Sequence, residues 1–197
     1  TIFHEHLSYY SLNTLKIFLN KKNMEIVEVI RNDLQGGSLV CYAQHKNGPY
    51  QISNNVLKLL NLEYTKELNV LSTLKSFSNV LNNFKIEINA KINSLNQKKS
   101  LIAGFGSSRS ATTLIKFFDI AEKIQFIVDD NKEKHFKFTP GSRIQVLPSK
   151  DIYTKKPNYL IIFAWEHTDK IIAKNQQFLQ NGGAFIKIFP SIEIIKN

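Results

Sequence analysis

Leu101-Ile-Ala-Gly104-Phe-Gly106-Ser-Ser-Arg109-Ser-Ala111 decides the fold: a short apolar run enters a glycine-rich turn, and a helix follows it through Phe118. The same rhythm then continues to the end of the chain. Ile124-Gln-Phe-Ile-Val128 reads as the next strand, closed by Asp129-Asp130-Asn131, and Ile144-Gln-Val146 reads as a third. Tyr159-Leu-Ile-Ile-Phe-Ala164 has the continuous apolarity of a central strand. A helix to about Gln180 follows it, and Gly182-Gly183 precedes a last strand from Ala184 to Phe189. Strands alternating with helices, several of them apolar throughout, predict a parallel sheet covered on both faces. Residues 99–197 therefore read as a doubly wound, Rossmann-like α/β domain.

The residues before it follow a different pattern. Ser11 is placed to cap a helix whose apolar positions Leu12, Leu15, Phe18 and Leu19 keep a 3.6-residue period. Met24 to Arg31 alternates as a half-buried strand. Gly36-Gly37 turns the chain into a second strand, Ser38 to Ala43, which Asn47-Gly48-Pro49 ends. A helix and a strand pair cannot bury a core unaided, so residues 1–48 read as the end of a domain. Residues 49–98 carry no strand signal and read as a helical connector, one helix or two with a break near Asn69. From Leu74 the apolar positions run Phe77, Leu81, Phe84, Ile88, Ile92 and Leu95. Such a stripe serves either a connecting helix packed on its own domains or a homodimeric coiled coil through residues 70–96.

Composition narrows the function classes. With 43% hydrophobic and 21% charged residues the 197-residue chain is globular rather than disordered. No apolar run reaches the roughly 18 to 20 residues of a membrane span, and the opening residues lack the pattern of a signal peptide. One cysteine, Cys41, excludes an internal disulfide and a cysteine zinc cluster and fits a cytoplasmic location. The formal charge is +10, yet 23 of the 26 basic residues are scattered Lys and only Arg31, Arg109 and Arg143 are Arg. That distribution points away from nucleic acid, whose base readout favours Arg, and towards a small anionic ligand. The chain opens on Thr1 and its single methionine is Met24, which fits a removed initiator or a piece of a longer protein.

Three clusters offer chemistry. In the first, the small residues Gly104, Gly106, Ser107 and Ser108 let backbone N–H groups approach an anion at a helix N-terminus, where Arg109 adds a fixed positive fork. Asp129 stands at the end of the neighbouring strand, where nucleotide-binding folds recognise ribose hydroxyls. A glycine pair alone also fits a plain strand-to-helix turn. The second cluster is His4-Glu5-His6. It has no third ligand at a zinc-site spacing, so it reads either as an acid/base pair in a loop or as an exposed polar segment. The third, Trp165-Glu166-His167, follows the central strand on the same carboxyl edge as the glycine turn and reads as a site wall or an N-cap turn.

Three segments together resemble the C-terminal part of the sugar C-methyltransferases, S-adenosylmethionine enzymes that methylate C-3 of nucleotide-linked 4-keto-6-deoxy sugars. These are Phe3-His-Glu-His-Leu-Ser-Tyr-Tyr-Ser11, Gly36-Gly-Ser38 with the strand after it, and Gly104-Phe-Gly106 through Val128-Asp-Asp-Asn131, Thr139-Pro-Gly141 and Ala164-Trp-Glu-His167. The resemblance implies that residues 1–48 are the tail of a methyltransferase domain, and that the S-adenosylmethionine site and a small zinc domain lie outside this chain. Alone, the chain is then expected to be inactive. By the same resemblance His6, with His4 as second candidate, removes the proton beside the ketone. The enolate attacks the donor methyl group, and Glu5 orients the base or the substrate. Gly104, Gly106, Ser107, Ser108, Arg109, Asp129, Trp165 and His167 are expected to hold the nucleotide-diphosphate sugar. Phe3 stands where the family often has Tyr. Two alternatives stay open: a methyltransferase for another small acceptor, and a dimerising nucleotide- or phosphosugar-binding module without catalysis.

Overall fold

Ser11 caps the first helix as its sequence predicts: its hydroxyl accepts from the Thr14 N–H at 3.2 Å, and α1 (Leu12–Asn20) follows. The computed structural model describes residues 6–34 and 37–197. Next come β1 (Met24–Asn32) and β2 (Ser38–His45), an antiparallel pair in register from Met24 opposite His45 to Asn32 opposite Ser38, with a bulge between Ile26 and Glu28. Gly37, at φ +122°, takes the left-handed backbone that the tight return requires. Two helices follow, α2 (Asn54–Thr65) and α3 (Leu71–Gln97), and the break between them falls at the expected place beside Asn69. Leu12, Ile26, Val29 and Val56 are the buried centre of this part, with Leu15, Leu19 and Cys41 packed against it.

The chain forms two compact units that divide inside α3, between Val80 and Leu81. The apolar stripe of α3 consequently has two fates. Leu74 and Phe77 are exposed, whereas Ile88, Ile92 and Leu95 are buried in the core of the second unit.

In that unit the short apolar runs become β3 (Ile102–Phe105), β4 (Ile127–Asp129), β5 (Val146–Pro148), β6 (Tyr159–Ile162), β7 (Ala184–Lys187) and β8 (Glu193–Ile195). Between them lie α4 (Arg109–Phe118), α5 (Asp151–Lys155), α6 (Thr168–Lys174) and α7 (Gln176–Gln180). The strand order is β5-β4-β3-β6-β7-β8, parallel throughout except for β8. The sheet is built outward in both directions from β3, the doubly wound, Rossmann-like arrangement, and its switch point lies between β3 and β6. Strand residues alternate between the two faces. Ile102, Ile127, Ile161 and Ile186 pack with α3 and α4 on one side, while Ala103, Val128, Leu160 and Phe185 pack with α5, α6 and α7 on the other. The antiparallel β8 is absent from the sequence reading: three residues after Pro190 are too few to show alternation.

Candidate functional site

The glycine turn lies at the switch point, where its two glycines have different physical reasons. Gly104 sits within β3, where a Cβ would lie 2.7 Å from the Phe163 ring and 2.9 Å from Ile127. Gly106 has φ +92°, and a Cβ there would come within 2.6 Å of the Ala164 Cβ. The backbone thus runs tight against the loop that leaves β6. Gly106 donates its N–H to the Val128 carbonyl at 2.8 Å, and Ser108 caps α4 by accepting from the Ala111 N–H at 3.2 Å.

Asp129, at the carboxyl end of β4, turns its buried carboxylate back onto this loop. One oxygen accepts from the Ser107 N–H at 2.7 Å and from the Lys134 ammonium at 3.0 Å, and the other accepts from the Asn131 N–H at 2.8 Å. Lys134 also donates to the Ser107 carbonyl at 2.8 Å, and the His135 ring donates to the Asp129 carbonyl at 2.8 Å. The Ser107 N–H, which the sequence offers to an outside anion, therefore already points at an internal one. Asp130 faces another way. Lys174 at 2.7 Å and Ser149 at 2.5 Å donate to it, and they hold its carboxyl below the usual carboxylate range.

Three further side chains that the sequence reading singles out stand on this carboxyl edge. Arg109 opens α4 and is exposed. Trp165 is half-buried in the turn of 3-10 helix Trp165–His167, with its ring edge-on to Phe189 at 5.7 Å, and His167 is exposed. Thr168 locks that turn by donating its hydroxyl to the Trp165 carbonyl at 2.8 Å.

The first unit carries a cleft of about 970 Å³ whose wall includes His6, Tyr9, Tyr10, Arg31, Asp33 and Cys41. The His6 and Tyr9 rings meet edge to face, 5.9 Å apart. Burial, with a smaller contribution from the Glu63 charge, pushes the Cys41 thiol up, so the neutral thiol is the form that lines the wall. His4 and Glu5 lie outside the described residues. The cleft is built on α1, whose start is fixed from α2: the buried Glu63 carboxylate accepts from the Leu12 N–H at 2.6 Å and from the Asn13 N–H at 2.8 Å. It satisfies two of the unpaired N–H groups at that helix end and sets a negative charge against the positive end of the helix.

Lys134, Glu63, Arg31 and the two tyrosines are the residues that sequence reading misses as site components. Lys134 is one of several lysines in a basic loop, and Glu63 is one acid in an ordinary helix; neither spacing singles them out. Among the described residues no cluster of His, Cys, Asp and Glu has the arrangement of a metal site, and no helix is long and apolar enough to cross a membrane.

Residues 33–190 match a family model described as the C-methyltransferase C-terminal domain. Over 196 residues the chain is 28% identical to the C-methyltransferase NovU of Streptomyces niveus. The alignment covers 99% of this chain and 47% of that relative, so the chain spans about half the length of the curated protein it matches.

Proposed function

The chain belongs to the family of C-methyltransferase C-terminal domains, and on that premise we propose that it is the C-terminal part of a larger enzyme that methylates a carbon of a nucleotide-linked 4-keto-deoxysugar. The observation that carries this reading is His6 on the wall of a cleft that Tyr9, Tyr10 and Arg31 also line. A ketone acidifies the proton on the neighbouring carbon. An imidazole is suited to removing it, because its charge changes between pH 5 and 8. As the proton leaves, negative charge grows on the ketone oxygen, where a phenolic O–H or a guanidinium stabilises it. Glu5 and His4 keep the roles of orienting group and second candidate base.

In the second unit the reading divides the expected acceptor contacts in two. Gly104, Gly106, Ser107, Ser108 and Asp129 build the turn, since their polar groups and close approaches are engaged within the protein. Arg109, Trp165 and His167 are the side chains we assign to the acceptor nucleotide.

S-Adenosylmethionine does not fit the glycine turn, because the N–H of Ser107 and the carboxylate of Asp129 that a nucleoside would use are bonded to each other. The methyl donor, and the zinc domain expected of such enzymes, are therefore assigned to polypeptide outside this chain, and the chain alone is expected not to turn over. The test is transfer of labelled methyl from S-adenosylmethionine to a thymidine-diphosphate 4-keto-6-deoxysugar by the full-length protein. His6→Ala should lower turnover by about 10²- to 10⁴-fold with the circular dichroism unchanged. Near-normal turnover in that variant would remove His6 from the role of base, and no transfer by the wild type to any keto-sugar nucleotide would overturn the function.

A further inference from the structure

The second unit buries its apolar side chains well. Among the described residues it exposes three large ones, Ile86, Phe136 and Phe138, and the two phenylalanines stand two residues apart at 68 and 61% exposed. They belong to the segment between β4 and β5, which turns back at Pro140-Gly141-Ser142 and forms a hairpin with the approach to β5. The Thr139 N–H donates to the Ile144 carbonyl at 2.9 Å, the Ile144 N–H donates to the Thr139 hydroxyl at 2.9 Å, and Phe138 pairs with Gln145. At its other end the segment is tied to Asp129 by Lys134 at 3.0 Å and by the His135 ring at 2.8 Å. A hairpin fixed at both ends therefore displays the two rings.

Phe136 occupies a position suited to glycine. Its N–H donates to the Val146 carbonyl at 2.7 Å, and the Val146 N–H donates to the Lys137 carbonyl at 2.8 Å, so two residues face one across the pair. In this type of bulge the first residue takes left-handed backbone and is ordinarily Gly. Phe136 takes it at φ +63°. A bulky residue there is strained, and an exposed ring returns little burial to offset the strain. The surroundings are cationic: Lys132, Lys137 and Arg143 are exposed, and Glu133 is the one acid among residues 132–143. Of the 26 basic residues 18 lie after Val80, against 10 of the 16 acidic ones, so the hairpin belongs to the more positive unit. Val146 stands level with Ile127, the first residue of β4. Phe136 therefore lies on the outer edge of the sheet beside the start of β5, whereas Arg109, Trp165 and His167 stand at its carboxyl edge.

We infer that the hairpin of residues 132–143 is a docking surface for an anionic lipid bilayer. Phe136 and Phe138 enter the headgroup boundary, and Lys132, Lys137 and Arg143 meet the lipid phosphates. Exposed rings ringed by cations fit such a boundary, where apolar area and charge attraction add. A second copy of the chain fits poorly, because two such hairpins would bring like charges together. The surface lies apart from the acceptor side chains, so the inference does not rest on the methyl-transfer reading.

Co-sedimentation of the full-length protein with lipid vesicles tests it. The protein should pellet with vesicles of equal parts phosphatidylglycerol and phosphatidylcholine and stay in solution with phosphatidylcholine alone. Binding should fall as salt rises from about 0.1 M to about 0.5 M. Phe136→Gly combined with Phe138→Ser should weaken binding at least about 10-fold while every cation is kept. Phe136→Gly alone should raise the melting temperature by about 4 °C, because it removes the strain and leaves the core intact. A lower melting temperature in that variant would make the ring a structural support and overturn the inference. Vesicle binding that survives the double substitution would be adsorption by net charge alone. Absence of binding by the full-length protein would mean that the surface meets no lipid, and phenylalanine-dependent self-association without vesicles would give it to a second copy. Each of these results overturns the inference as well.

Discussion

Asp129→Asn tests the claim that the glycine turn is held by a carboxylate from within the protein. The side chain is 11% exposed and receives three donors: the Ser107 N–H, the Asn131 N–H and the Lys134 ammonium. An asparagine has one oxygen. Facing Asn131, it presents its amide NH₂ to the Ser107 N–H; reversed, it presents it to Asn131. Either way one partly buried backbone donor loses its acceptor, which costs about 1–3 kcal/mol. The lost attraction to Lys134 adds little, since that side chain is 37% exposed and the ammonium regains water. Taking about 2 kcal/mol and about 4 °C per kcal/mol for a unit of this size, the melting temperature should fall by roughly 8 °C. The assay is thermal unfolding by circular dichroism, with Lys134→Met as the companion variant, for which a shift of less than about 4 °C is expected. A fall of under about 2 °C for Asp129→Asn would refute the argument that this carboxylate organises the loop.

The remaining predictions concern neighbouring parts of the molecule. Glu63→Gln should destabilise the first unit by about 1–3 kcal/mol, because the amide NH₂ cannot accept from one of the two N–H groups of Leu12 and Asn13; hydrogen exchange at those amides reads it directly. Gly106→Ala should cost about 1–3 kcal/mol in denaturant unfolding, from the +92° φ and the collision with Ala164. Asp130 has a folded-state pKa below its unfolded value, so its contribution is present above the unfolded carboxyl pKa of about 3.9 and is lost as pH falls through the folded value. Asp130→Asn should therefore lower stability at neutral pH by a small amount, its side chain being 49% exposed, and flatten the acid limb below about pH 4 by that same amount.

The α/β half is legible because its strands are apolar on both faces and their ends are marked by Gly104, Gly106, Asp129 and Gly182-Gly183, residues whose local chemistry stops a strand without help from distant contacts. The break before α3 is legible for a related reason, since the apolar period lapses around Asn69. What the sequence does not display is pairing at a distance. Asp129 reads as a ribose acceptor from its place after a strand, and only the fold reveals that Lys134 and the Ser107 N–H converge on it. The Glu63 carboxylate meets α1 from about fifty residues away. The stripe from Leu74 to Leu95 has one period but two environments, and periodicity carries no information about which residues find a core. His6 stands out in the sequence only through its neighbours His4 and Glu5, whereas the cleft it lines is assembled from α1, β1 and β2 together.

Solvent exchange at the acceptor carbon tests the central claim most directly. The full-length protein, incubated in deuterium oxide with a thymidine-diphosphate 4-keto-6-deoxysugar, should replace the proton on the carbon beside the ketone, seen by proton NMR. His6→Ala should slow that replacement by about 10²-fold or more. Exchange at the wild-type rate in His6→Ala would contradict the assignment of the base, and no enzyme-dependent exchange or methylation with any keto-sugar nucleotide would contradict the function itself.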